Sequence, residues 1–309
     1  MLYYPHILIR EYETMATKAK TSSKARSAKT TRPASGAAAR TTKKTTSVKA
    51  RVVAAPVAAR KSYRVTDDLN GSQVVSEMFG TFLLVSLVAA SGGNAFLVGI
   101  ALIAIAAMTF SVSGAHVNPA VTFGFFAMRK ISAAKMVFYW IAQFVGAIAA
   151  VIATNAFAHE KLSLSLSSFT QWDWYVFAAE LIGAAVFMVG VAAAVRRGNS
   201  DTEKGVGIGL SLFVALLLSS ALLQQAATYA QSKTDTGKDA PRITKLNGTT
   251  ANPAVALSLK ETGSVNPLTG QASQTDNAAS RLTLEVIFGT LLGAALGGRL
   301  YMLLNRDEK

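Results

Sequence analysis

The feature that most constrains this chain is a run of 51 residues, 78–128, that contains no Asp, Glu, Lys or Arg. One transmembrane helix needs about 20 apolar residues, so a run of this length must fold back on itself. A Gly-Gly-Asn turn at 92–94 divides it. We therefore predict two spans, 74–91 and 95–112, and then a short apolar helix at 118–128. That helix reaches only about 16 Å, which is too short for a hydrocarbon core of about 30 Å.

Further apolar stretches of spanning length follow, at 133–157, 174–195, 205–227 and 283–304. A second short apolar segment, 252–259, lies between the last two and again begins Asn-Pro-Ala. The chain thus has three spans with a half-helix after the second, and then three more with a half-helix after the fifth. Because three is odd, the second copy enters the membrane from the opposite side. The sequence predicts an all-α integral membrane protein with an inverted repeat, its copies at 72–157 and 174–305.

Most of the net charge of +14 precedes the first span. Residues 1–65 hold 15 Lys and Arg against Glu11 and Glu13, whereas residues 66–309 hold 16 against 15 acids. We predict a disordered basic tail at 1–65, with translation starting at Met15, and a membrane domain at 66–309. Because Lys and Arg concentrate in cytoplasmic segments, we predict a multi-pass protein of the plasma or inner membrane with both termini in the cytoplasm.

The basic tail suggests a partner, and the rest of the composition excludes several functions. Anionic lipid is the nearer candidate, at roughly 1 kcal/mol per basic residue close to a membrane. Nucleic acid is the alternative, and an organelle transit peptide also fits the tail.

The absence of cysteine excludes a disulfide scaffold and a cysteine-ligated metal site. The chain shows no Ser-His-Asp arrangement, metal cluster or phosphate loop, so we predict no enzyme, metal or cofactor.

Two Asn-Pro-Ala motifs carry the chemistry of the membrane domain, namely Asn118-Pro119-Ala120 and Asn252-Pro253-Ala254. Asn at the N-cap and Pro at the first helical position form a good helix start. A single motif would indicate only a cap, but two in corresponding halves favour a site at the membrane midplane. The positive N-terminal ends of two facing half-helices would repel cations and protons. The amides of Asn118 and Asn252 would donate to a passing oxygen.

The ten residues Ser-Gly-Ala-His-Val-Asn-Pro-Ala-Val-Thr at 113–122 resemble the aquaporin (major intrinsic protein) family. The likeness extends over roughly residues 70–305. It implies an aquaporin-like fold of six helices and two half-helices, a homotetramer with a pore in each subunit, and passive conduction of water or small neutral solutes such as glycerol. It also implies that Glu77 and Glu180 hydrogen-bond the backbone of the returning loops. We interpret His116 as a brace for the first of these loops rather than as a ligand or pH switch.

One departure from the family concerns the narrowest part of the pore. Most members have an Arg directly after the second Asn-Pro-Ala, where this chain has Val255. Spacing and local similarity assign Val98, Leu216 and Thr249 to the other constriction positions. This apolar set predicts a wider or less wettable constriction, with exclusion of ions resting on the Asn pair. Alternatively, a nearby basic residue fills the vacancy, namely Arg242, Lys245 or Lys260.

Three further expectations concern the loops, the last span and a second class of function. We interpret the polar segments 228–251 and 261–282 as solvated loops, with a cap over the pore as the alternative. Glycines at 289, 293 and 297 form a row of small residues that favours close helix packing. The alternative function is a non-conducting, aquaporin-like scaffold whose tail binds anionic lipid or nucleic acid.

Overall fold

A computed structural model describes residues 69–159, 164–234, 241–261 and 279–305 of the chain. The predictions for the tail at 1–65, including a start at Met15, lie outside these residues. Within them, six helices are long and apolar enough to span a membrane, which confirms the predicted architecture. The long helices are α1 (Gly71–Ala90), α2 (Ala95–Ser113), α4 (Ala133–Phe157), α5 (Trp174–Arg197), α6 (Asp201–Ser232) and α8 (Leu284–Leu304). The two half-helices are α3 (Pro119–Ala127) and α7 (Pro253–Ser258).

Polar caps explain why the helices begin where they do. The Asn94 side chain accepts hydrogen bonds from the first backbone N–H groups of α2, and Ser200 caps α6 by accepting from Glu203 N at 3.2 Å. Helix α6 is longer at both ends than the predicted span 205–227. Hydropathy marks only the apolar middle of a helix. Asp201 and Glu203 lie in the first turn of α6, where their negative charges interact favourably with the positive end of the helix dipole, so the helix begins before its apolar part.

Helix packing repeats between the two halves of the membrane domain. Helix α1 packs against α2 and α4, and its counterpart α5 packs against α6 and α8. Helices α2 and α6 pack against each other, while α3 lies on α8 and α7 lies on α4. Exchanging the halves therefore reproduces the same set of contacts, as an internal repeat requires.

The glycine row of α8 brings that helix close to α5. A methyl group added at Gly289, Gly293 or Gly297 would fall inside contact distance of backbone carbonyls of α5, at Phe177, Leu181 and Ala185. The same crowding would occur at Gly99 and Gly209, where α2 crosses α6. The predicted close packing at the glycines of α8 is thus confirmed.

The described parts of segments 228–251 and 261–282 are not solvated loops, contrary to our simpler expectation. Helix α6 continues to Ser232, and a 3₁₀ turn, Arg242–Lys245, packs beside it with Ile243 only 1% exposed. An antiparallel bridge between Lys260 and Ser280 closes the second segment. Residues 228–234 remain mostly exposed, whereas residues 241–251, 261 and 279–282 are largely buried or half-buried. Their burial depends on tertiary contacts, which hydropathy along the chain does not record.

Candidate functional site

The two Asn-Pro-Ala motifs meet in the interior of the molecule. The Asn118 Nδ2 donates to the Ala251 carbonyl at 2.8 Å, and the Asn252 Nδ2 donates to the Val117 carbonyl at 3.1 Å. Each Asn Oδ1 also accepts from the backbone N–H two residues on, at 2.7 and 2.9 Å. The N-termini of α3 and α7 are therefore held face to face by a reciprocal pair of hydrogen bonds.

The remaining motif residues lie in the first turns of the half-helices. Pro119 and Pro253 occupy the first helical positions, where a missing N–H costs nothing. Ala120 and Ala254 follow them and are buried. Small side chains at these positions leave room for the two helix ends to approach each other.

The Glu77 carboxylate holds the loop that enters α3. It accepts from the backbone N–H groups of His116 at 3.0 Å and Val117 at 2.6 Å. It also accepts from Ser113 Oγ at 2.6 Å and Gln143 Nε2 at 2.8 Å. Four donors match the acceptor capacity of a buried carboxylate, so its charge is well solvated by protein groups.

The Glu180 carboxylate occupies the equivalent place in the second half. It accepts from the backbone N–H groups of Thr250 and Ala251, both at 2.8 Å, and from Thr250 Oγ1 at 3.1 Å. Glu77 and Glu180 are each the seventh residue of their helix. The structure thus places both sequence-predicted carboxylates against the two returning loops.

His116 packs within the loop that precedes α3. Its Nδ1 lies 3.1 Å from Thr122 Oγ1, its ring stacks on Phe125 with centroids 4.6 Å apart, and Tyr139 contacts it edge-on at 5.2 Å. Among the described residues, no group of three or more His, Cys, Asp or Glu side chains is arranged to hold a metal ion. The surroundings of His116 are thus those of a packed and hydrogen-bonded side chain.

Two cavities approach the facing half-helices from opposite ends of the bundle. The wide cavity, of about 920 Å³, is lined by His116 and Phe125 and by the C-terminal parts of α5 and α8, with Lys130, Arg196 and Arg299 on its wall. The narrow cavity, of about 80 Å³, lies where α1 ends and α2 begins and reaches Asn252. The space beside the second Asn-Pro-Ala motif is therefore much smaller than the space beside His116.

The structure brings all four sequence-predicted constriction residues onto the narrow cavity. Val98, Leu216, Thr249 and Val255 line it together, although they come from four separate segments. The Thr249 hydroxyl is engaged with Ser219 Oγ at 2.5 Å. This part of the cavity wall is therefore mainly apolar.

The predicted basic candidates take different places. Arg242 Nε and Nη1 donate to Glu261 and Glu285, each at 2.6 Å, so Arg242 is the cation of a cluster with two carboxylates. Burial opposes the charge of Arg242, but the two carboxylates outweigh it and raise its pKa. Of the three candidates, Lys260 alone lines the narrow cavity within the described chain, and it is exposed. Arg242 and Lys245 therefore do not occupy the vacancy at Val255.

Arg281, which no sequence pattern singled out, also lines the narrow cavity. It is 4% exposed, and its Nη2 donates to the Gly248 carbonyl. Burial lowers the pKa of its guanidinium, which Glu180 counteracts, and an arginine stays protonated in any case. Because 26 positions separate Arg281 from Val255, spacing gives no signal for this residue.

Comparison with known proteins gives consistent matches. The family model for major intrinsic proteins matches residues 92–232. The glycerol uptake facilitator protein-like 6 of Lactiplantibacillus plantarum is 33% identical over 172 residues, which cover 49% of this chain and 79% of that protein. A probable aquaporin TIP1-2 of Oryza sativa subsp. japonica is 34% identical over 140 residues, or 44% of this chain and 54% of that protein. The chain thus spans about half the length of the plant relatives that it matches.

The X-ray structure of the aquaglyceroporin from Plasmodium falciparum matches with a TM-score of 0.46 and 16% sequence identity, covering 76% of this chain and 95% of that chain.

Proposed function

The chain belongs to the major intrinsic protein family, and from this premise we propose that it is a passive membrane channel for water and small uncharged solutes such as glycerol. The observation that carries the proposal is the reciprocal hydrogen-bonded pair of Asn118 and Asn252 between two cavities. Relatives named as an aquaporin and as a glycerol uptake facilitator support a channel rather than an enzyme.

The proposed mechanism relies on the two half-helix ends at the Asn pair. Each Asn Nδ2 carries two hydrogens, and within the described residues one of them binds the opposite carbonyl. The second hydrogen is available to the oxygen of a passing water or alcohol. Because both helix N-termini present partial positive charge at this point, cations and protons meet an electrostatic barrier.

We further propose that Val98, Leu216, Thr249 and Val255 form the selectivity constriction. An apolar wall favours solutes that combine hydroxyl groups with a carbon backbone, because the carbons contact the wall while the hydroxyls need donors or acceptors. Glu77, His116 and Glu180 would act indirectly, by holding the loops that present the Asn pair.

The test is a stopped-flow measurement on proteoliposomes that contain the purified full chain. We expect faster shrinkage than in empty vesicles under a sucrose gradient, and faster re-swelling in glycerol than in urea. A proton-sensitive dye inside the vesicles should report no added leak. No permeability above empty vesicles for any solute would overturn the channel proposal and favour the alternative of an aquaporin-like scaffold.

The assembly, orientation and tail of the protein are also proposals. The six apolar spans identify a multi-pass membrane protein, and we propose that it forms a homotetramer in the plasma or inner membrane, with both termini in the cytoplasm. Native mass spectrometry in detergent tests the tetramer, and protease access to tagged termini in sealed vesicles tests the orientation. For residues 1–65 we propose binding to anionic lipid. Liposome flotation with and without anionic lipid, beside a DNA shift assay, separates lipid from nucleic acid.

A further inference from the structure

The narrow cavity lacks a positive charge at Val255, the position after the second Asn-Pro-Ala motif. We propose that Arg281 supplies this charge from a different part of the chain and sets the solute selectivity of the narrow cavity. The inference rests on the proposed channel function and adds a specificity-determining residue to it.

The location of Arg281 is the first argument. It lines the same small cavity as Val255 and Thr249, yet it belongs to the segment that leads into α8 rather than to α7. Its side chain is almost fully buried, so the guanidinium is part of the cavity wall and not a mobile group at its mouth. A buried charge in a narrow apolar cavity acts at short range with little screening by water.

The backbone around Arg281 fixes its position. Its N–H donates to the Leu259 carbonyl at 2.9 Å, and Glu261 N donates to the Ala279 carbonyl at 2.8 Å. The neighbouring Ser280 Oγ lies 2.9 Å from the Leu257 carbonyl, at the end of α7. Two adjacent strands of backbone therefore tie Arg281 to the second half-helix, although many residues separate them in sequence.

The Arg281 side chain is held in one orientation, but most of its N–H groups make no hydrogen bond within the described residues. In the described part of the chain, Arg281 donates one side-chain hydrogen bond, from Nη2 to the Gly248 carbonyl. Its ion pair with Glu180 Oε1 is long, at 3.9 Å, beyond hydrogen-bonding distance, and that carboxylate is already bound by three donors from Thr250 and Ala251. A guanidinium has five N–H groups, so donors remain for the oxygen of a solute.

The other cations that the structure describes in this region do not fit the role. Arg242 is paired with Glu261 and Glu285, and neither Arg242 nor Lys245 lines the narrow cavity. Lys260 lines the cavity but is exposed, and an ammonium on a flexible stem holds no fixed geometry. Arg281 combines burial, a fixed backbone and unused donors. It can therefore supply the positive charge that the chain lacks at Val255.

The experiment compares the wild type, Arg281→Val and Arg281→Lys in proteoliposomes, with the glycerol-to-water permeability ratio and proton flux as readouts. We expect Arg281→Val to change the ratio by about tenfold, since a hydrogen bond to a charged group contributes on that order, and to raise proton flux. Arg281→Lys should retain proton exclusion, because it keeps the charge, while it changes the ratio. The double variant Arg281→Val/Val255→Arg should restore both properties.

A matched control separates selectivity from structural damage. Arg242→Met removes a half-buried arginine whose partners are Glu261 and Glu285 and which does not line the narrow cavity. It should keep the wild-type ratio per folded channel, with folding checked by size-exclusion chromatography, and Lys260→Gln, which removes the exposed cation of the same cavity, should change the ratio less than Arg281→Val. An unchanged ratio in a folded Arg281→Val, or an equal change in Arg242→Met, overturns the inference while the channel proposal stands. A wild type that conducts neither water nor glycerol overturns both.

Discussion

At the scale of single residues, each half-helix depends on a strained backbone position and on the carboxylate that holds it. Val117 and Ala251, directly before the two Asn-Pro-Ala motifs, have φ values of +40° and +48°. Such a conformation costs a non-glycine residue roughly 1–3 kcal/mol. In both loops the strained residue donates its N–H to a buried glutamate, at 2.6 Å to Glu77 and 2.8 Å to Glu180. These charge-assisted hydrogen bonds offset the strain and stabilise a carboxylate inside a membrane span, where an unpaired charge would be costly.

We expect Glu77→Gln to destabilise the protein by about 2 kcal/mol or more, because an amide has one acceptor oxygen and leaves buried donors unpaired. The measurement is thermal unfolding of the purified protein in detergent, followed by circular dichroism. Thr81→Val in the same helix is the matched control. The Thr81 hydroxyl is buried without a hydrogen-bond partner among the described residues, so its loss should leave stability unchanged. Equal effects of the two substitutions would contradict the role given to Glu77.

We expect Val255→Arg to narrow selectivity toward water. The side chain lies on the wall of the narrow cavity beside Leu216 and Thr249, so a long cation there reduces the space for a carbon backbone and leaves room for water. Glycerol permeability should fall more than water permeability in the stopped-flow assay. If glycerol permeability is the same as in the wild type, the assignment of the constriction is wrong.

At the scale of helices, hydropathy and capping residues allowed the six spans and both half-helices to be predicted, because each depends on local sequence. The half-helix ends, predicted at 118–128 and 252–259, differ by one residue from α3 and α7. Arg281 and the burial of Ile243 were not predictable. The position of Arg281 depends on the bridge between Lys260 and Ser280, and the burial of Ile243 depends on packing of the 3₁₀ turn against α6. Neither contact leaves a periodicity in the sequence.

Helix packing gives a prediction at this scale. We expect Gly293→Ala to destabilise the protein by about 1–3 kcal/mol, since the added methyl group would press on the Leu181 carbonyl of α5. Gly71→Ala, at the exposed start of α1, is the control, because no atom lies within 4 Å of the methyl group that it adds. Thermal unfolding in detergent distinguishes the two. If both variants are equally stable, α5 and α8 can move apart without a loss in the free energy of unfolding, and the packing role given to Gly293 is wrong.

At the scale of the whole molecule, the two cavities differ more than tenfold in volume, at about 920 and 80 Å³. A solute that crosses the proposed path would meet most of its resistance in the narrow cavity, where Val98, Leu216 and Val255 meet Arg281. The wide cavity carries Lys130, Arg196 and Arg299 on its wall and leaves a solute much more room. We therefore expect the narrow cavity to determine both which solutes cross and how fast they cross.

The absence of cysteine from the chain allows this path to be mapped with a single introduced thiol. We expect mercury ions to leave wild-type water flow unchanged and to block Leu216→Cys, because that side chain lies on the narrow cavity. Leu217→Cys is the control, since Leu217 is the next residue of α6 and is 57% exposed on the outer surface. Block of Leu216→Cys that a reducing thiol reverses, without block of Leu217→Cys, would place water flow in the narrow cavity. If both variants resist mercury while they conduct water, the water follows another route, and the constriction assigned to Val98, Leu216, Thr249 and Val255 is wrong.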